Sequence, residues 1–108
     1  MVVEDLIKEK KKRERIFRDY IKYAKEIKEI AKEFFGDVRV FVFGSVIRGD
    51  YNVMLSDIDI AVITDRKDGI YEFKAKVAKV SDVFEVHVMD ERTWEFYKRF
   101  IDRWIEIK

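Results

Sequence analysis

At 108 residues, with 48% hydrophobic and 15% aromatic content, the chain has material for one domain with one real core. Charged residues make up 42%, yet 23 basic and 22 acidic side chains leave a net charge of +1, so no global attraction to nucleic acid or membrane is expected. The absence of cysteine excludes disulfides and thiolate metal sites, and the single histidine excludes a histidine cluster around zinc.

Taken in chain order, residues from about Glu4 to Phe35 predict one long helix or two helices in line. Ile16, Phe17, Tyr20, Ile21, Ala24, Ile27, Ala31 and Phe34 recur at helical spacing and form a single stripe for burial. Lys8 to Arg15 interrupts the stripe with six basic and two acidic residues, and is expected to be a solvated helical extension. Gly36 stands where this helix would end. Val38 to Phe43 is β-branched and aromatic between two glycines, which predicts a buried strand. A polar, glycine-containing stretch runs from Gly44 to Ser56. Asp57 to Ile63 alternates and then turns wholly apolar, as a central strand does. Tyr71 to Val80 has helical periodicity. Val83 to Val88 alternates, with Glu85 and His87 on one face and Phe84, Val86 and Val88 on the other. Asp90 is placed to cap a last helix in which Trp94, Tyr97, Ile101 and Trp104 share a stripe. The economical fold is a single α/β (α+β) domain over residues 1–108. It has a small mixed sheet of about three strands packed with helices on one side. No apolar run is long enough for a membrane span or a secretory signal, so a cytoplasmic protein is expected.

Chemistry gathers around three carboxylates. Asp57 and Asp59 lie two apart in a predicted strand and leave the same face. Like charges side by side repel, and aspartate is a poor strand residue, so a compensating cation is the simplest account of the pair. Hard oxygen ligands suit Mg²⁺, and two such ions would activate an attacking oxygen and neutralise a leaving pyrophosphate. Glu85, facing away from its apolar neighbours on another strand, is the candidate third ligand. His87 shares that face, but a lone histidine on a half-buried strand is more often structural. Gly44-Ser45 follows a strand directly, where glycine lets the backbone approach a phosphate and the following amides and hydroxyl can donate to it. Arg48 is within reach of the same phosphates, and Ser56 either orients Asp57 or simply starts the strand.

Phe43-Gly44-Ser45, Arg48-Gly49 and Leu55-Ser56-Asp57-Ile58-Asp59-Ile60 together resemble the signature of the DNA polymerase β-like nucleotidyltransferase superfamily. More narrowly, they resemble the minimal nucleotidyltransferase (MNT) proteins. The resemblance implies that Gly44, Ser45 and Arg48 bind the nucleotide phosphates. It also implies that Asp57, Asp59 and Glu85 form a catalytic, metal-binding triad, with ATP as substrate and two Mg²⁺ ions as cofactors. Two features depart from the pattern. Eleven residues separate Ser45 from Asp57, one more than in those proteins, and glutamate stands at a third position that is often aspartate.

The expected reaction is transfer of a nucleoside monophosphate, AMP from ATP, to a hydroxyl acceptor. Larger superfamily members hold their acceptor with a further domain that 108 residues do not accommodate. The MNT resemblance therefore implies a protein partner, a HEPN-type helical toxin that this chain would adenylylate as its antitoxin. Self-association is the other expectation for so small a domain. Trp94, Phe96, Tyr97, Phe100 and Trp104 are divided between core packing and such an interface. The competing expectation is a catalytically inactive, nucleotide-binding antitoxin that neutralises its partner by contact alone. A nucleic-acid-binding role for the basic stretch is the weakest, given the balanced charge.

Overall fold

The computed structural model describes residues 2–108. Two helices open the chain, α1 (Val3–Arg18) and α2 (Tyr20–Phe35), separated only by Asp19. Gly36 ends α2 at φ +77°, its N–H bonded to Lys32 O at 2.9 Å. Strand β1 (Arg39–Phe43) follows, then a single turn of helix α3 (Ser45–Arg48), then β2 (Ile58–Ile63). Helix α4 (Ile70–Val80) crosses to β3 (Phe84–Met89), and α5 (Glu91–Tyr97) leads through a 3₁₀ turn to β4 (Trp104–Glu106).

The sheet order is β3-β2-β1-β4. β1 runs antiparallel to β2 and β4, whereas β2 and β3 are parallel, as a helical crossover allows. Alternation along each strand divides the side chains into two cores. Val40, Val42, Ile58, Ile60, Val62, Phe84, Val86 and Ile107 pack against α1, α2 and α4. Phe41, Phe43, Ala61 and Ile63 face the other way, onto Trp94 of α5. Trp94 is fully buried and stacks on Phe41 at 4.6 Å between ring centroids, a contact whose truncation to alanine costs about 3–5 kcal/mol in typical cores.

Three expectations are corrected here. Helices cover both faces of the sheet, because Phe41 and Phe43 turn large apolar rings away from α2 and need α5 to bury them. The last helix stops at Tyr97 instead of continuing through Trp104, and a fourth strand takes its place. Residues 104–107 alternate with period two: Ile105 and Ile107 enter the larger core, while Trp104 turns to Trp94 on the opposite face. That pairing satisfies the otherwise open edge of β1, with Ile107 N–H bonded to Val40 O at 2.8 Å and Lys28 Nζ donating to Ile107 O at 2.9 Å. Within the basic stretch Lys8 to Arg15, Arg13 is buried. Its guanidinium donates to Val53 O and, at 2.6 Å, to Ser56 O, fastening the loop between α3 and β2 to α1. Tyr51 of that loop stacks on Phe17 at 4.7 Å.

Asp90 caps α5 as expected, its Oδ1 accepting from Thr93 N–H at 2.8 Å. That bond holds the Asp90 carboxyl below the usual aspartate range. Arg39 bridges Glu91 of α5 at 3.2 Å and Glu106 of β4 at 3.3 Å, and its hydrogen bonds lower the Glu106 carboxyl in the same way. No helix among the described residues is long and apolar enough to cross a membrane.

Candidate active site

The register of the sheet brings the polar residues together. Phe43, the last residue of β1, pairs with Asp59, and Asp59 pairs with Glu85 on the parallel neighbour. Asp59 and Glu85 therefore stand side by side on the α5 face of the sheet, past the part that Trp94 covers. His87, two residues on from Glu85, points to the same place. Its Nε2–H donates to Asp59 Oδ1 at 3.2 Å and lies 4.0 Å from Glu85 Oε1. The Asp59 and His87 side chains are only 26% and 28% exposed, against 58% for Glu85. The imidazole ring is flanked by Phe43 at 5.6 Å and Tyr97 at 6.4 Å. Ligand atoms from Asp59, Glu85 and His87 all lie within 4.8 Å of one another.

Gly44 closes one side of this corner. Its backbone is at φ +89°, ψ −157°, a conformation almost confined to glycine. A Cβ on Gly44 would overlap Asp59 Oδ2 and come within 3.3 Å of Asp59 Cγ. The turn after β1 thus runs directly against the Asp59 carboxylate. Ser45 begins the single turn α3, in which the Ile47 and Arg48 amides bond Gly44 O at 3.1 and 3.2 Å and those of Ser45 and Val46 have no acceptor within the turn. The arrangement sets anion-seeking amides beside cation-seeking carboxylates, which is what a metal-bound phosphate requires.

The remaining residues singled out in the sequence are placed as follows. Asp57 immediately precedes β2, is exposed, and stands outside the cluster formed by Asp59, Glu85 and His87. Arg48, at the end of α3, pairs with Asp50 at 3.2 Å. Ser56 Oγ accepts from Asn52 N–H at 2.8 Å, shaping the loop. Among the described residues, no lysine or arginine forms an ion pair with Asp57, Asp59 or Glu85; the His87 ring is the neighbour of the latter two, at 3.2 and 4.0 Å. The donor set therefore suits a divalent cation: carboxylates without basic counter-charges, converging at one half-buried point.

Two residues matter here more than their sequence context suggested. His87 was visible as the same-face neighbour of Glu85, and its proximity to Asp59 follows from the parallel register of β2 and β3. Arg13 lies 40 residues from Val53 and 43 from Ser56, so no local pattern reveals it.

Comparison with known proteins agrees with this fold. A family model described as a nucleotidyltransferase domain matches residues 24–106. Among solved structures, one described as a candidate nucleotidyltransferase is 37% identical, with a TM-score of 0.64, over 78% of this chain and 96% of its own. A second, a candidate nucleotidyltransferase from Sulfolobus solfataricus, is 26% identical with a TM-score of 0.57, over 87% of this chain and 84% of its own. No curated protein matches the chain. With most of its length matched by the family model and a more than 30% identical structural relative almost wholly covered, the chain belongs to the nucleotidyltransferase domain family, as a minimal transferase of the polymerase β-like type.

Proposed function

We propose that the chain transfers a nucleoside monophosphate, AMP from ATP, to a hydroxyl acceptor, using the corner formed by Gly44, Ser45, Asp57, Asp59 and Glu85. The single observation that carries this reading is the contact between Gly44 and Asp59. It supports a triphosphate lying on the Gly44-Ser45 turn with its charge met by ions on the neighbouring carboxylates.

Asp59 and Glu85 would hold divalent cations, Mg²⁺ in the first instance. Asp57 would join them from the loop end just outside β2. Ions held there would supply charge neutralisation for the triphosphate and the departing pyrophosphate. The amides at the start of α3 and the Ser45 hydroxyl would orient the phosphate oxygens, and Arg48 would reach them by releasing Asp50. Glu85, the more exposed of the two clustered carboxylates, would take the acceptor's proton. Rate enhancement would come mainly from positioning and charge neutralisation, as phosphoryl chemistry generally requires.

For the acceptor, we propose a protein hydroxyl on a HEPN-type helical partner, as the MNT resemblance implies. Phe96 and Phe100 support a protein contact: they pack edge to face at 5.2 Å yet are 58% and 71% exposed beside α5. ATP labelled at the α-phosphate should pass its label to the partner in the presence of Mg²⁺, whereas γ-label should leave with pyrophosphate. Asp59→Asn should abolish transfer. A variant that still neutralises the partner without labelling it would instead establish inhibition by contact alone.

A further inference from the structure

We infer that His87 is itself a metal ligand, which makes the corner of Asp59, Glu85 and His87 a mixed nitrogen–oxygen site that prefers a first-row transition ion to Mg²⁺. The inference rests on the proposed metal-dependent reading and specifies the ion.

Spacing is the first argument. Donor atoms about 2.1 Å from a shared octahedral ion lie about 3.0 Å apart when adjacent and about 4.2 Å apart when opposite. His87 Nε2 stands 3.2 Å from Asp59 Oδ1 and 4.0 Å from Glu85 Oε1. Both separations fall near that range and the third, Asp59 to Glu85, is within 4.8 Å, so one ion would touch all three once the side chains close slightly on it. Presentation is the second. The imidazole sits between Phe43 and Tyr97 and is largely covered, so its orientation is set before any ion arrives. Without an ion, Nε2–H donates to Asp59. The nitrogen directed at Asp59 Oδ1 would thus face an ion held by that carboxylate.

Ligand chemistry then decides the ion. Mg²⁺ strongly favours oxygen and gains little from an imidazole, whereas Mn²⁺, Co²⁺ and Zn²⁺ accept nitrogen readily, Co²⁺ more tightly than Mn²⁺. The same two carboxylates would hold either kind of ion, but only the transition ion profits from His87.

The chain has one histidine, so an imidazole signal from the untagged protein has one source. Pulsed electron paramagnetic resonance of bound Mn²⁺ should show coupling to an imidazole nitrogen, a measurement on the unaltered chain that needs no variant to fold. Calorimetry with CoCl₂ and MgCl₂ should show Co²⁺ binding tighter than Mg²⁺. His87→Gln should weaken Co²⁺ by about tenfold or more, and by a larger factor than it weakens Mg²⁺. Asp59→Asn should weaken both. Mn²⁺ bound without nitrogen coupling, with Co²⁺ affinity unchanged in His87→Gln, overturns this inference; nucleotidyl transfer from α-labelled ATP with Mg²⁺ then still stands or falls by itself. Failure of the unaltered chain to bind any of the three ions overturns the inference and the metal-dependent reading together.

Discussion

Replacing Gly44 by alanine tests the contact on which the site depends, and Gly36 supplies its control. Both glycines occupy positive-φ, extended backbone, at φ +89°, ψ −157° and φ +77°, ψ −136°. An alanine in such a conformation costs about 1–3 kcal/mol. At Gly36 that is the whole effect, because a Cβ there would have nothing within 4 Å. At Gly44 the added methyl overlaps the Asp59 carboxylate and must turn it out of place, which adds about 0.5–1.5 kcal/mol for an off-rotamer side chain. In urea unfolding both variants should therefore lose stability, Gly44→Ala by the larger amount. Metal titration should separate them more sharply. Gly36→Ala should bind Co²⁺ as the unaltered chain does, whereas Gly44→Ala should lose about tenfold or more, as misplaced support around a metal ligand generally does. Equal Co²⁺ affinity in the two variants would refute the reasoning, because Asp59 would then not be set by its contact with Gly44.

Arg13→Met removes two hydrogen bonds from a buried guanidinium to Val53 O and Ser56 O, and should cost about 1.5–3 kcal/mol in urea unfolding. Limited proteolysis should find the loop 50–57 more readily cut in this variant, and Arg13→Lys should restore only part of the loss because an ammonium lacks the guanidinium's fork. For Asp90, whose carboxyl is held low by the Thr93 amide, the folded state favours the charged form. Its stabilising contribution is therefore complete above the unfolded value of about 3.9 and disappears as pH falls through the lower folded value. Asp90→Asn keeps a capping oxygen that does not titrate. Its melting temperature, followed from neutral to strongly acid pH, should fall less steeply below the ordinary carboxylate range than that of the unaltered chain.

The strands were legible because Val38–Phe43 and Asp57–Ile63 are short β-branched or apolar runs bounded by turn residues, and Val83–Val88 alternates with period two. The Gly44-Ser45 turn and Asp59 were legible for a related reason: glycine and aspartate interrupt otherwise apolar strands and demand an account. What was not legible depended on contacts far apart in sequence. Trp104 continues the helical stripe of Trp94 and Ile101, yet Phe43, its strand partner, lies about sixty positions earlier, and local periodicity could not choose between the two arrangements. The second core had the same origin, since Phe41 and Phe43 were recognised as strand residues without any indication of what would cover them. Arg13 belonged to a stretch whose charge suggested solvent, and only the loop it fastens explains its burial. The connection between Ser45 and Asp57 is held to α1 at Tyr51, Val53 and Ser56.

β3 is an outer strand, hydrogen-bonded on one side only, and its sequence is Phe-Glu-Val-His-Val-Met. Were Glu85 and His87 apolar, the strand would become a continuous hydrophobic ribbon with an open hydrogen-bonding edge, a ready template for joining another chain. The polar side chains of Glu85 and His87 thus also guard this edge against aggregation. Glu85→Val or His87→Val would therefore lower solubility together with metal binding, whereas Glu85→Gln and His87→Gln would keep the edge polar and separate one loss from the other.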